Sequence, residues 1–195
     1  MPFDDLSKDE LIRILELVEI SQKCKSPASV KSLILASKDV LEAEFAVCGF
    51  TTRGPQPVVS DFVNGNYPEE WVRRYTEENL CLHDPVVRFH SKYMLTQFWS
   101  DVFVFYDYPQ ANALISDARD YGLKFGMTGA VYAPERDEVA LFTFASDRNR
   151  FKKHHKRLLE IMMTHFYNAL SKSFIALPRV GEANSGKEVL GLTRI

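Results

Sequence analysis

Two almost unbroken apolar runs, FAVCGF at 45–50 and VALFTFA at 139–145, place the tightest limit on how this chain folds. Each is too short for a core helix and is rich in the aromatic and β-branched residues that strands favour. A strand wet on one face alternates apolar with polar residues. These runs do not alternate, so they predict a sheet covered on both faces. FAVCGFTT leads through RGPQ into PVVSDFV, and GMTGAVYAP leads through ERD into EVALFTFAS. Links that short join antiparallel neighbours as hairpins, because a parallel crossover needs a dozen or more residues.

Helices must supply the covering layers. DLSKDELIRILELVEIS has apolar residues at 11, 14, 15 and 18 and the Ser7/Glu10 spacing of a capping box. SPASVKSLILASKDVLEAE puts Ser26 at the N-cap and Pro27 at the first helical position, with Val30, Leu33, Ile34, Val40 and Leu41 on its buried side. Two short helices are expected, from Pro68 in YPEEWVRRYTEEN and from Pro85 in DPVVRFHSKY. LTQFW reads as a short strand, and PQANALISDARDYGL as a helix begun at Pro109. RNRFKKHHKRLLEIMMTHFYNALSKSFIAL reads as one long amphipathic helix, with Phe151, Leu158, Met162, Phe166, Ala169 and Phe174 on one side. The order predicts an α+β domain in which helices pack on the faces of an antiparallel sheet of about five strands.

The 195 residues suit one domain, and a hydrophobic share of 46% is enough to build its core. A net charge of −2 gives no chain-wide pull toward nucleic acid or an anionic membrane. No apolar run approaches the roughly 20 residues that cross a bilayer, and the acidic start MPFDDLSKDE lacks the basic and apolar regions of a signal peptide. Cys24, Cys48 and Cys81 are odd in number and form no CxxC, which fits a reducing compartment. A soluble, cytoplasmic protein is expected, with a domain over 1–176 and a Gly- and polar-rich linker or tail over 177–195.

Several chemistries find no footing. There is no GxSxG, and Cys81 with His83 has no third partner visible in sequence. GLKFGMTG lacks the Lys-Ser/Thr ending of a phosphate loop and precedes a strand. His154 and His155 are neighbours on a helix and His165 is not four residues from either, so no metal site is expected. DRNRFKKHHKRLLE reads as a helix start with a solvated basic face rather than a nucleic-acid patch.

Between the hairpins lies a segment with more polar aromatic tips than a core requires. Tyr67, Trp71 and Tyr75 are spaced four apart and form one stripe on a helix; Asp84 precedes Pro85, and Trp99 closes the LTQFW strand candidate. Leu or Phe would fill the same space without a hydrogen-bonding obligation. An apolar chamber with a few polar points is the composition of a small-molecule pocket. A carboxylate only accepts and an indole N–H only donates. The implied ligand is neutral, with an amide-like N–H, one or more carbonyls and an apolar remainder. A plainer reading stays open: Asp before Pro as an N-cap, the aromatic stripe as helix packing, and Trp99 as a large core residue.

NYPEEWVRRYTEENLCLHDPVV, with Trp71, Tyr75, Asp84 and Pro85 in a W-x3-Y-x8-DP arrangement, resembles the autoinducer-binding domain of LuxR-type quorum-sensing regulators. FW at 98–99 and ARDYGLKFGMTGAVYAP extend the match, which covers about residues 5–175. The resemblance implies an α-β-α sandwich and a non-enzymatic receptor for an N-acyl-homoserine lactone, without a cofactor. It implies that Trp71 donates to the lactone carbonyl, Asp84 accepts the amide N–H and Tyr67 donates to the amide carbonyl. Thr143 stands where a Ser or Thr hydroxyl contacts the ligand directly or through water. Tyr75 and Trp99 would wall the pocket, Val87 and Met127 would lie near the acyl chain, and Gly126 would serve backbone shape.

Regulators of this family continue into a helix-turn-helix domain, while this sequence stops at LGLTRI, so no direct DNA reading is expected from it. The resemblance implies a homodimer, or a heterodimer with a full-length regulator, for which the long C-terminal helix is a candidate surface. A heterodimer with one DNA-reading module, or capture of the lactone, would make the chain an antagonist. Two other functions remain in view: a sensor of a different amphiphile, and an acyl-amide or lactone enzyme using Asp84 as base.

Overall fold

The computed structural model describes residues 6–175. The tail expected over 177–195 lies outside them.

Helices α1 (Lys8–Lys23) and α2 (Pro27–Val40) begin at the caps their sequences encode. Ser7 and Glu10 close a reciprocal capping box, and Ser26 accepts from Ser29 N–H behind Pro27. Strands β1 (Phe45–Thr52) and β2 (Val59–Asn64) follow as a hairpin. The middle of the chain is a string of short helices: α3 (Glu69–Glu77), a 3-10 turn at Leu80–Leu82, α4 (Pro85–His90), α5 (Trp99–Phe103) and α6 (Pro109–Asp120). Between α4 and α5 lies the two-residue strand β3 (Gln97–Phe98). Strands β4 (Phe125–Ala133) and β5 (Glu138–Ser146) form the second hairpin, and α7 (Lys153–Ile175) follows.

The five strands order as β2-β1-β5-β4-β3, antiparallel at every pairing. This is the α+β layered architecture expected from the hairpins. Side-chain parity sends Ala46, Cys48 and Phe50 of β1, and Ala140, Phe142 and Phe144 of β5, into the core shared with α1, α2 and α7. Leu158, Met162, Phe166 and Ala169 of α7 are buried there, with Phe151 and Phe174 packed against the edge. The opposite parity faces the short helices. There Phe45 and Ala145 join Trp71 and Trp99 in one cluster, while Val139 and Leu141 join Val87 in another.

Two expectations change. LTQFW ends as a strand at Phe98, because Trp99 already belongs to α5. The long helix starts at Lys153 rather than Arg148. Its basic approach, Arg148, Arg150 and Lys152, would have stacked cations on the positive end of the helix dipole. Along α7 the exposed positions are Lys153, Glu160, Thr164, Asn168 and Lys172, a polar ridge, whereas α1 exposes Ile12, Leu15 and Ile20. No described helix is long and apolar enough to cross a membrane.

Candidate functional site

A cavity of about 370 Å³ lies between the sheet and the layer formed by α3, α4, α5 and α6. That volume is in the range of small-molecule sites. Tyr67, Trp71, Tyr75, Asp84, Pro85, Val87, Trp99 and Thr143 all line it.

Each is set by local structure. Asn64 holds the Tyr67 backbone from both sides: Tyr67 N–H donates to its Oδ1 at 2.8 Å, and its Nδ2 donates to Tyr67 O at 3.1 Å. Asn66 ties the same bend to β1, accepting from Ala46 N–H and donating to Glu44 O. Trp71 is buried on α3, its ring 5.3 Å from Tyr121 and 5.9 Å from Tyr75. Arg74 pairs with Asp117 at 2.6 Å and pins α3 to α6, which adds Leu114, Ile115 and Ala118 to the wall.

Asp84 both caps α4 and lines the cavity. As N-cap of α4, its Oδ1 accepts from Val86 N–H at 2.8 Å and Val87 N–H at 3.4 Å, while its Oδ2 accepts from the Tyr75 hydroxyl at 2.7 Å. Burial pushes its carboxyl above the usual range, and those three hydrogen bonds pull the other way. Burial, and then the Asp84 charge, push the Tyr67 and Tyr75 phenols up, so both remain donors at neutral pH.

Two donors are left open. The Tyr67 hydroxyl is buried without a hydrogen-bond partner among the described residues. The Trp71 indole N–H, on the cavity wall, makes no hydrogen bond to another described residue. Buried polar groups are nearly always paired, so an orphan donor in a cavity wall marks a place for something other than protein.

Met127 is a correction. It is fully buried in the core beneath α7, with the sheet between it and the cavity. Its neighbours Gly126 and Thr128 have the other parity: the space beside Gly126 holds the Trp99 indole, and Thr128 bonds to that indole. Gly126 is also corrected in its reason. Glycines with positive φ among the described residues are Gly54 and Gly122. Gly126 is required for room, since a Cβ there would run into the Trp99 ring. Sequence reasoning missed Thr128, which accepts from Trp99 Nε1 at 3.1 Å. Its signal was weak: a threonine opposite Thr143 once the hairpin register is known.

The cavity has a mouth. Its exposed lining residues are Val58, Ser60 and Phe62 on the edge strand side and Thr76 and Asn79 at the end of α3. Val58 is 53% exposed and Phe62 42%. Among the described residues no group of three or more His, Cys, Asp or Glu is placed to hold a metal ion.

The family model described as autoinducer binding domain matches residues 27–170. The HTH-type quorum-sensing regulator RhlR of Pseudomonas aeruginosa is 24% identical over 115 residues, which is 59% of this chain and 46% of that protein. The match thus spans about half of the curated relative. Among solved structures, the N-acylhomoserine lactone dependent LuxR family factor CepR2 from Burkholderia cenocepacia has a TM-score of 0.65 at 20% identity, covering 82% of this chain and 92% of that one. SdiA in complex with octanoyl-rac-glycerol has a TM-score of 0.64 at 24% identity, covering 88% and 67%. At these identities the likeness establishes the fold.

Proposed function

The chain belongs to the autoinducer-binding domain family, and from that premise we propose that its cavity receives an N-acyl-homoserine lactone, making it a receptor domain in quorum sensing. The observation that carries the reading is the pair of open donors, Tyr67 O–H and Trp71 N–H, beside the Asp84 carboxylate in one largely apolar chamber. Trp71 donates to the lactone carbonyl, Tyr67 to the amide carbonyl, and Asp84 accepts the amide N–H. Tyr75 and the α4 backbone hold the carboxylate in place for that bond. The acyl chain runs over Val87 and Leu141 toward Val58 and Phe62.

Asp84 serves here as an acceptor, not as a base, so the lactone should be recovered intact after incubation; turnover would favour an enzyme instead. Trp71→Phe removes one donor and keeps the bulk. Lactone affinity should fall by about 1 kcal/mol, the net value of a hydrogen bond, and an unchanged affinity would remove Trp71 from the site. Ligand at 100 times its dissociation constant should stabilise the fold by about 2.7 kcal/mol.

A monoacylglycerol is the second reading, prompted by the octanoyl-rac-glycerol bound to SdiA. Its hydroxyls would donate to Asp84 and its ester carbonyl would accept from Tyr67 or Trp71. Competition between octanoyl-glycerol and the lactone at equal length separates the two. Self-association is part of the same reading, with the apolar side chains exposed on α1 better suited to it than the polar ridge of α7. Sedimentation with and without lactone tests it.

A further inference from the structure

The chain that carries Asp84 into the cavity has little regular structure to hold it. Helix α4 has six residues, fewer than two turns, and a helix that short does not hold itself together. Before it comes the 3-10 turn at Leu80–Leu82, entered through Asn79 in the left-handed conformation at φ 51°. On the outgoing side the carboxylate is fixed by Val86 and Val87 N–H. On the incoming side the carbonyls of Leu82 and His83 receive no backbone N–H among the described residues. Each accepts from a side chain instead. Arg88 Nη1 donates to Leu82 O at 2.9 Å, and the Tyr108 hydroxyl donates to His83 O at 3.1 Å. The Arg88 guanidinium lies 5.8 Å from the centre of the Tyr108 ring, within cation–π reach, so the two side chains form one brace.

The far end of the brace is α6. Tyr108 stands at its N-cap position, ahead of Pro109. The same helix is tied through Asp117 to Arg74 of α3, the helix that carries Trp71. The open donor of Trp71 and the acceptor of Asp84 are therefore both referred to α6, one through Arg74 and the other through Tyr108. A head group whose carbonyl and N–H are a set distance apart meets both only if that spacing is kept. Binding groups need to be held to about 0.5 Å for such bonds to form well.

We propose that Arg88 and Tyr108 are positioning residues: by holding the Leu82 and His83 carbonyls they set the Asp84 carboxylate at the spacing from Trp71 that an amide-bearing head group requires. The preference of the site for an amide over an ester ligand then depends on both. The proposal rests on reading the cavity as an acyl-homoserine lactone site. Neither side chain is needed to make Asp84 an acceptor, since Tyr75 and the α4 backbone orient its oxygens. The brace decides where that acceptor stands.

The test uses the intact chain and two probes, octanoyl-homoserine lactone and the analogue in which an ester oxygen replaces the amide N–H, with affinities from calorimetry. The ester keeps both carbonyls and the chain but offers Asp84 no donor. The wild type should prefer the amide by about tenfold or more, the value of a hydrogen bond to a charged group. Arg88→Met and Tyr108→Phe each delete one bond of the brace and keep most of the bulk. Each should cut the preference by about fivefold, through loss of amide affinity with the ester affinity nearly unmoved. A merely structural defect would weaken both probes alike and leave the ratio in place. Should Arg88→Met not fold, Tyr108→Phe, which loses one oxygen from a half-buried ring, carries the test by itself. A wild-type ratio in Tyr108→Phe, or in folded Arg88→Met, overturns this inference alone. A wild type that binds the two probes equally, or binds neither, overturns the pairing of Asp84 with the amide N–H and this inference with it.

Discussion

Replacing Tyr67 by Phe deletes one oxygen, and its effects on the free and the bound protein should have opposite signs. The phenol oxygen is buried with no hydrogen-bond partner among the described residues, while the ring packs edge-on against Phe45 at 6.2 Å. The backbone is fixed by Asn64, not by the hydroxyl. The substitution therefore removes no protein–protein hydrogen bond. It relieves the desolvation of an unpaired buried group, which costs about 1–3 kcal/mol. Even a gain of about 1 kcal/mol should raise the melting temperature of a domain this size by roughly 2–4 °C. On the proposed reading the same oxygen donates to the ligand, so lactone affinity should drop by about 1 kcal/mol, or roughly fivefold. Thermal unfolding with and without lactone, with calorimetry for the affinity, reads both numbers. A Tyr67→Phe protein that melts lower without ligand refutes the assignment of the hydroxyl as an open donor. One that melts higher and binds as tightly as wild type refutes its role toward the ligand.

Because burial holds the Asp84 carboxyl above its ordinary value, its ionisation should cost free-protein stability as pH rises from the unfolded carboxylate range through the folded one. His90 and His155, both pushed down to about 4 by burial, act in the opposite sense, losing stability as pH falls below the usual histidine range. The Asp84 slope is therefore read as wild type minus Asp84→Asn in denaturant titrations across acid to neutral pH. A difference that does not vary with pH would contradict it. A ligand N–H favours the carboxylate, so lactone affinity should rise with pH through the same window and flatten in Asp84→Asn. At the mouth, Phe62→Trp should weaken long-chain lactones while sparing short ones, and a uniform effect across an acyl series would place the tail elsewhere.

What could be read in the sequence was local. Ser7 with Glu10, and Ser26 with Pro27, start helices through contacts within one turn, and both helices begin where those residues place them. Trp71 and Tyr75 depend only on helical spacing, whereas Tyr67 lies before α3 and is held by Asn64; all three line the cavity. Met127 failed because strand parity is decided by register against β5, and a shift of one residue exchanges the faces. WSDVF was missed as a helix because five residues are too few to carry a period. Thr128 has no motif at all; its place in the site exists only through the pairing with Thr143 and the approach of Trp99.

The two faces of the sheet divide the tasks of this domain. On the side of α1, α2 and α7 the buried residues form one continuous cluster, which needs nothing further to hold together. On the other side they form two, one around Trp71 and Trp99 and one around Val87 and Leu141. The consecutive residues Val86 and Val87 of α4 belong to different clusters, so the division runs through a single helical turn. The cavity touches both. An acyl chain lying there would convert two small clusters into one core, and its head group would take up the donors the protein leaves open. Ligand should therefore stabilise the layer of α3 to α6 far more than the α7 side. On the proposed reading, a binding event on that one face would complete the fold.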